Sequence, residues 1–124
     1  MNLRLDTSSI RFRVELSEAQ ILFQKGMLQE SLPWGESDLL LKIHSVAQEK
    51  IFINPFRENC LELFIPKAGL ESLLSNVQQK AGKASLELKS KTTVRSKNIE
   101  IRFEIDHFSA KQNQTSKKGE ITND

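Results

Sequence analysis

Leu61-Glu62-Leu63-Phe64-Ile65-Pro66-Lys67-Ala68-Gly69-Leu70-Glu71-Ser72-Leu73-Leu74 changes its apolar period at Pro66. Before the proline, Leu61, Leu63 and Ile65 alternate with Glu62 and Phe64, which is the period of a strand. After it, Leu70, Leu73, Leu74, Val77 and Ala81 fall on one stripe of an α-helix. Pro66 suits a first helical turn, because its missing N–H would bond nothing there. Gly82 can close the helix. A strand feeding directly into an amphipathic helix is predicted here.

The same sequence of events occurs upstream. Ile10, Phe12, Val14 and Leu16 alternate with Arg11, Arg13 and Glu15, after a shorter strand at Leu3 and Leu5 and a turn at Thr7-Ser8-Ser9. A helix is predicted to begin at Ser17, with Gln20 completing a capping box. Ala19, Leu22 and Phe23 form its apolar side, and Gly26 ends it. Further strands are read around Leu39-Leu41-Ile43, Ile51-Phe52-Ile53, Leu86-Leu88 and Ile99-Ile101-Phe103-Ile105, with turns at Asn54-Pro55 and Arg57-Glu58-Asn59. Trp34 falls in a turn-like stretch, Leu32-Pro33-Trp34-Gly35, and residues 90–97 read as a loop.

The resulting order is β-α-β-β over residues 10–53 and again over 60–106. It arises either from internal duplication or independently in a small α+β domain. The expected fold is a strand-rich α+β domain over residues 1–108, an antiparallel sheet or small open barrel carrying two helices. From residue 109 to 124 the only large apolar side chain is Ile121, so a disordered polar tail is expected.

With 124 residues, 38% apolar and 27% charged, the chain has the size and polarity of one soluble domain. No apolar run approaches the ~18 residues of a membrane span, and the first residues lack a signal-peptide layout. A cytoplasmic location is expected. The lone Cys60 cannot form an internal disulfide.

No set of residues gathers into catalytic chemistry. His44, His107 and Cys60 lie in no metal-ligand spacing, and independent positions are expected for them. Glu100, Glu104 and Asp106 share one side of the last strand, with Glu62 similarly outward on another. Arg11 and Arg13 are their expected cross-strand partners. The scattered glycines write no phosphate loop. No cofactor, metal or catalytic residue is therefore assigned, and the chain reads as a non-enzyme.

Two features break the even spread of polarity. Residues 80–97 carry six cations against Glu87 alone, so Lys83, Lys89, Lys91, Arg95 and Lys97 are candidate nucleic-acid contacts. No aromatic residue interleaves with them, so base stacking has no platform. Leu40, Phe52 and Phe64 point away from the main apolar faces of their strands. On neighbouring strands they would form a second apolar surface, covered by a helix, another layer or a partner. Trp34 reads as a binding anchor or a cover over the core.

Ser9-Ile10-Arg11-Phe12-Arg13-Val14-Glu15-Leu16-Ser17-Glu18-Ala19 and Phe103-Glu104-Ile105-Asp106-His107-Phe108 resemble the opening and closing motifs of a small bacterial family of unknown function. Phe64-Ile65-Pro66 matches between them, and His107 interrupts the closing pattern. The resemblance implies no activity. The Leu61–Phe103 region resembles, at the level of fold, the half-unit of swapped-hairpin transcription regulators, which dimerise and bind DNA. It lacks their glycine-aspartate turn. The function expected is a protein-interaction module, a homo-oligomer or a small subunit of an assembly, with a nucleic-acid-binding regulator as the alternative.

Overall fold

The computed structural model describes residues 1–78 and 86–106. The expected helix end at Ala81 and Gly82, residue Lys83, His107 and the tail from 109 lie outside these. Among the described residues the elements run β1 (Asn2–Leu5), β2 (Ser9–Val14), α1 (Leu16–Lys25), β3 (Met27–Trp34), β4 (Ser37–Val46), β5 (Phe52–Arg57), β6 (Cys60–Pro66), α2 (Lys67–Gln78), β7 (Glu87–Val94) and β8 (Lys97–Ile105).

The strands form two four-stranded sheets, β1-β2-β8-β7 and β3-β4-β6-β5. This is the expected α+β class with two helices. The sheets are mixed, not antiparallel, and they do not close into a barrel. Each has an antiparallel hairpin on either side of a parallel central pair, β2 with β8 and β4 with β6.

The arrangement repeats itself. β1-β2-α1-β3-β4 and β5-β6-α2-β7-β8 are two copies of one topology, and each sheet takes the first hairpin of one copy and the second hairpin of the other. The repeat is thus β-β-α-β-β, and β5 belongs to the second copy rather than closing the first. Register makes the equivalence explicit. Phe12 pairs with Phe103 in one sheet as Leu63 pairs with Ile43 in the other.

The inward sides of both sheets meet in a single core with Leu16, Ala19 and Leu22 of α1 and Leu70, Leu73 and Val77 of α2. Phe12, Phe103, Ile43, Leu63 and Ile65 are wholly excluded from solvent. Burying each such side chain stabilises the fold by about 1.5–3 kcal/mol.

Local chemistry sets the boundaries. α1 is capped by Glu15, two residues before the expected Ser17, and the Glu15 N–H donates to Glu18 Oε1 at 2.9 Å. Leu16 accordingly opens the helix instead of ending the strand. Gly26 ends α1 as expected, at φ 82 with its N–H donating to the Leu22 carbonyl. Pro66 is the last residue of β6, and α2 starts one residue later.

Two stretches read as turns or loops are strands. Residues 27–34 form β3, which ends at Trp34, and 87–94 form β7, so the expected loop 90–97 narrows to the two residues Arg95 and Ser96. Both have positive φ, as do Glu58 and Asn59 between β5 and β6, the pattern of the type I′ hairpin turn. Asn54-Pro55 lies inside β5, where the register with β6 shifts. Pro33 and Pro55 both sit on edge strands, where a missing N–H leaves the ladder intact.

Candidate functional site

Strand alternation gives each sheet one inward and one outward side, and the two outward sides differ completely. On β1-β2-β8-β7, register places Arg4, Arg11, Arg102 and Lys89 in one row across all four strands. The neighbouring row is Asn2, Arg13, Glu104 and Glu87, and on the other side Ser9, Glu100 and Lys91 stand in line.

Carboxylates tie this surface together. Glu104 Oε1 lies 3.4 Å from Arg11 Nε and 3.2 Å from Arg13 Nε. The sequence-based pairing of Arg11 and Arg13 with the last strand's acidic side therefore holds for Glu104. Arg102 Nε donates to Glu100 Oε1 at 2.6 Å, and Arg102 Nη1 lies 3.7 Å from Glu87. That bond from Arg102, with Lys89 and Lys91 nearby, holds the Glu100 carboxyl below its ordinary range, and Glu100 in turn raises the Arg102 guanidinium.

The other sheet carries an aromatic row in the equivalent place. Met27, His44, Phe64 and Phe52 are register partners across β3, β4, β6 and β5. His44 stacks on Phe64 with ring centroids 4.5 Å apart, and Phe52 tilts against Phe64 at 5.7 Å. Phe52 is 53% exposed and Met27 42%. His44 Nε2 lies 2.9 Å from Glu62 Oε2. A carboxylate offers only lone pairs, so His44 donates from Nε2. That bond, helped by Asn54, lowers the Glu62 carboxyl below its ordinary value. Glu62 therefore belongs to this sheet and not with Glu100 and Glu104. Leu40 pairs with Cys60 on the same outward side. Phe52 and Phe64 thus stand on the neighbouring strands β5 and β6 and touch, whereas Leu40 lies four residues along β4 from His44, beyond the Lys42 and Glu62 row, and does not join their surface.

The candidate nucleic-acid residues separate. Lys89 and Lys91 join the outer face with Arg4, Arg11 and Arg102. Arg95 stands at the turn tip. Lys97 lies on the side of β8 that carries Ile99 and Ile101, opposite to Lys89 and Lys91. Arg4 and Arg102 escaped notice because each is a single cation in its own stretch of sequence, and only register assembles the row. As for metal chemistry, Cys60 lies four residues along β6 from Phe64, the partner of His44, or roughly 13 Å. No group of three His, Cys, Asp or Glu side chains able to hold a metal occurs among the described residues.

The first helix brings a charged cluster to the inward side. The Met1 ammonium donates to both Glu18 oxygens, at 2.9 and 2.8 Å, and lies 3.4 Å from Glu30. Burial pulls its pKa down, but the two carboxylates outweigh that and raise it above the usual value. In the second copy, Ile51, Gly69 and Ser90 take the places of Met1, Glu18 and Glu30. They border an open groove of about 440 Å³ that Lys50 and Leu88 also line. A Cβ at Gly69 would stand 3.1 Å from Leu88 Cδ1, so a larger residue there would make the Leu88 side chain shift by a few tenths of an ångström.

The family of unknown function DUF7009 matches residues 1–115, nearly the whole chain. The chain belongs to that family. No curated protein and no solved structure matches this DUF7009 chain. Among its described residues, no helix is long and apolar enough to cross a membrane.

Proposed function

We propose that the chain is a non-enzymatic interaction module that pairs with a second copy of itself through the outer face of β3-β4-β6-β5. The observation that carries this reading is the row Met27-His44-Phe64-Phe52, which crosses the whole sheet with an exposed apolar side chain at each end. A surface of aromatic and sulfur-containing side chains on a rigid sheet is the composition of an interface centre.

Charge favours a second copy. Strands of 8, 10, 7 and 6 residues about 4.8 Å apart make a face of roughly 500 Å², the size of a small interface. The adjacent row holds one cation and one carboxylate, Lys42 and Glu62, as direct register partners. A two-fold axis brings the cation of each copy to the carboxylate of the other. The lone thiol of Cys60 fits a reducing compartment, and we place the module in the cytoplasm.

Light scattering on the full chain from micromolar to hundreds of micromolar tests the reading. A dimer forming with concentration is expected. A monomer throughout that range contradicts it.

A further inference from the structure

From the outer face of the other sheet we infer a separate activity: β1-β2-β8-β7 binds the phosphate backbone of duplex nucleic acid, independently of the pairing surface. Four cations, Arg4, Arg11, Arg102 and Lys89, stand side by side in a single row. Like charges directly opposite one another weaken strand pairing. The fold does not require them, because the equivalent row of the other sheet is Asn54, Glu62, Lys42 and Gln29. A feature that opposes folding and that the repeat shows to be dispensable points to a ligand.

The carboxylates of this face leave it positive. Arg4, Arg11, Arg13, Lys89, Lys91 and Arg102 are six cations against Glu87, Glu100 and Glu104, with Asp6 and Asp106 at the rim just past the ends of β1 and β8. The three glutamates bridge the central guanidinium groups. Lys89 is 55% exposed, and Arg4 and Lys91 are exposed on the two edge strands. The row spans three inter-strand gaps, about 14 Å. With one phosphate per cation, the row can make up to about four backbone contacts.

Absences on this face, among its described residues, narrow the partner. It carries no aromatic side chain on which an unpaired base could stack. It also has no large apolar side chain to enter the acyl boundary of a membrane. Backbone contact without sequence readout is the mode that remains.

The test is fluorescence anisotropy of the full chain with a labelled 20-base-pair duplex of arbitrary sequence at 50 and 200 mM NaCl. Four phosphate contacts predict roughly a 100-fold loss of affinity over that range. The charge reversal Arg4→Glu with Lys89→Glu and Lys91→Glu should weaken binding more than 10-fold and flatten its salt dependence. Lys50→Glu with Arg57→Glu and Lys97→Glu makes the same charge change elsewhere and should leave binding within about 3-fold. If the first triple variant loses its native circular dichroism, Arg4→Gln with Lys91→Gln on the edge strands should still weaken binding several-fold. Salt-insensitive or absent binding overturns the proposal, as does an equal loss in the control variant. Binding to phosphatidylserine vesicles without binding to the duplex overturns it too.

Discussion

Arg11 on β2 and Glu62 on β6 occupy the same position in two copies of one topology, each on the outward side of the inner strand of a hairpin. Arg11 pairs with Arg4 and Arg102, and Glu62 pairs with Asn54 and Lys42. Inward, the copies agree in chemistry: Phe12 corresponds to Leu63, Val14 to Ile65 and Leu41 to Ile101, all buried. Packing constrains the inside of both copies alike, because a core tolerates hydrophobic exchange but not charge. The outside is under no such constraint, and there one sheet carries a charged face and the other an aromatic one.

The hairpin turn between β7 and β8 holds Ser96 at φ 66, a left-handed conformation that disfavours residues other than glycine by about 1–2 kcal/mol. Ser96→Gly should therefore raise stability by about 0.5–1 kcal/mol after glycine's extra unfolded-state entropy is deducted. Urea unfolding checks this through a higher midpoint at unchanged slope. An unchanged or lower midpoint shows that the turn is not strained.

The raised pKa of the Met1 ammonium fixes the sign of an alkaline effect. Stability from its bonds to Glu18 and Glu30 is complete below the ordinary amine value near 8.0 and is lost as pH rises through the higher folded value. The melting temperature should fall above pH 8, and the fall should shrink in Glu30→Gln, which leaves the Glu18 cap in place. A melting temperature flat to pH 10 would remove the ammonium from the account.

Glu62 works in the opposite direction. Its carboxyl is lowered chiefly by the bond from His44, so its contribution is complete above the ordinary carboxylate value and disappears as pH falls through the lowered one. As pH falls below the ordinary carboxylate value of 4.5, Glu62→Gln should lose less stability than the native chain, measured by urea titrations at each pH. Parallel losses in the two proteins would show that the His44 bond adds nothing.

Elements with one side against the core were legible before the structure. Ile99, Ile101, Phe103 and Ile105 alternate because β8 is central, and α2 shows its stripe because Leu70, Leu73 and Val77 all reach the core. β3 was hidden because Glu30 occupies an inward position opposite Leu41, where the Met1 ammonium compensates it. β7 was hidden because its inward side continues through Ser90 and Thr92 on an edge strand. Parallel pairing of β2 with β8 joins residues some ninety positions apart, which no local pattern reports. Phe52 and Phe64 were legible as one surface, since each breaks its own strand's alternation, but Leu40 is set apart from them by the Lys42 and Glu62 row, which only register reveals. The basic row was only half visible, because Lys89 and Lys91 are clustered in sequence while Arg4, Arg11 and Arg102 are gathered by register.

The central claim is that the two outer faces have separate roles, with self-association confined to the aromatic one. Sedimentation velocity on three proteins at equal concentration tests it most directly: the native chain, Phe52→Lys on β5 and Arg4→Glu on β1. Phe52 is 53% exposed and Arg4 is exposed, so both substitutions spare the core. The native chain and Arg4→Glu should sediment as dimers, and Phe52→Lys as a monomer. A dimer that survives Phe52→Lys, or one dissolved by Arg4→Glu, would contradict the division.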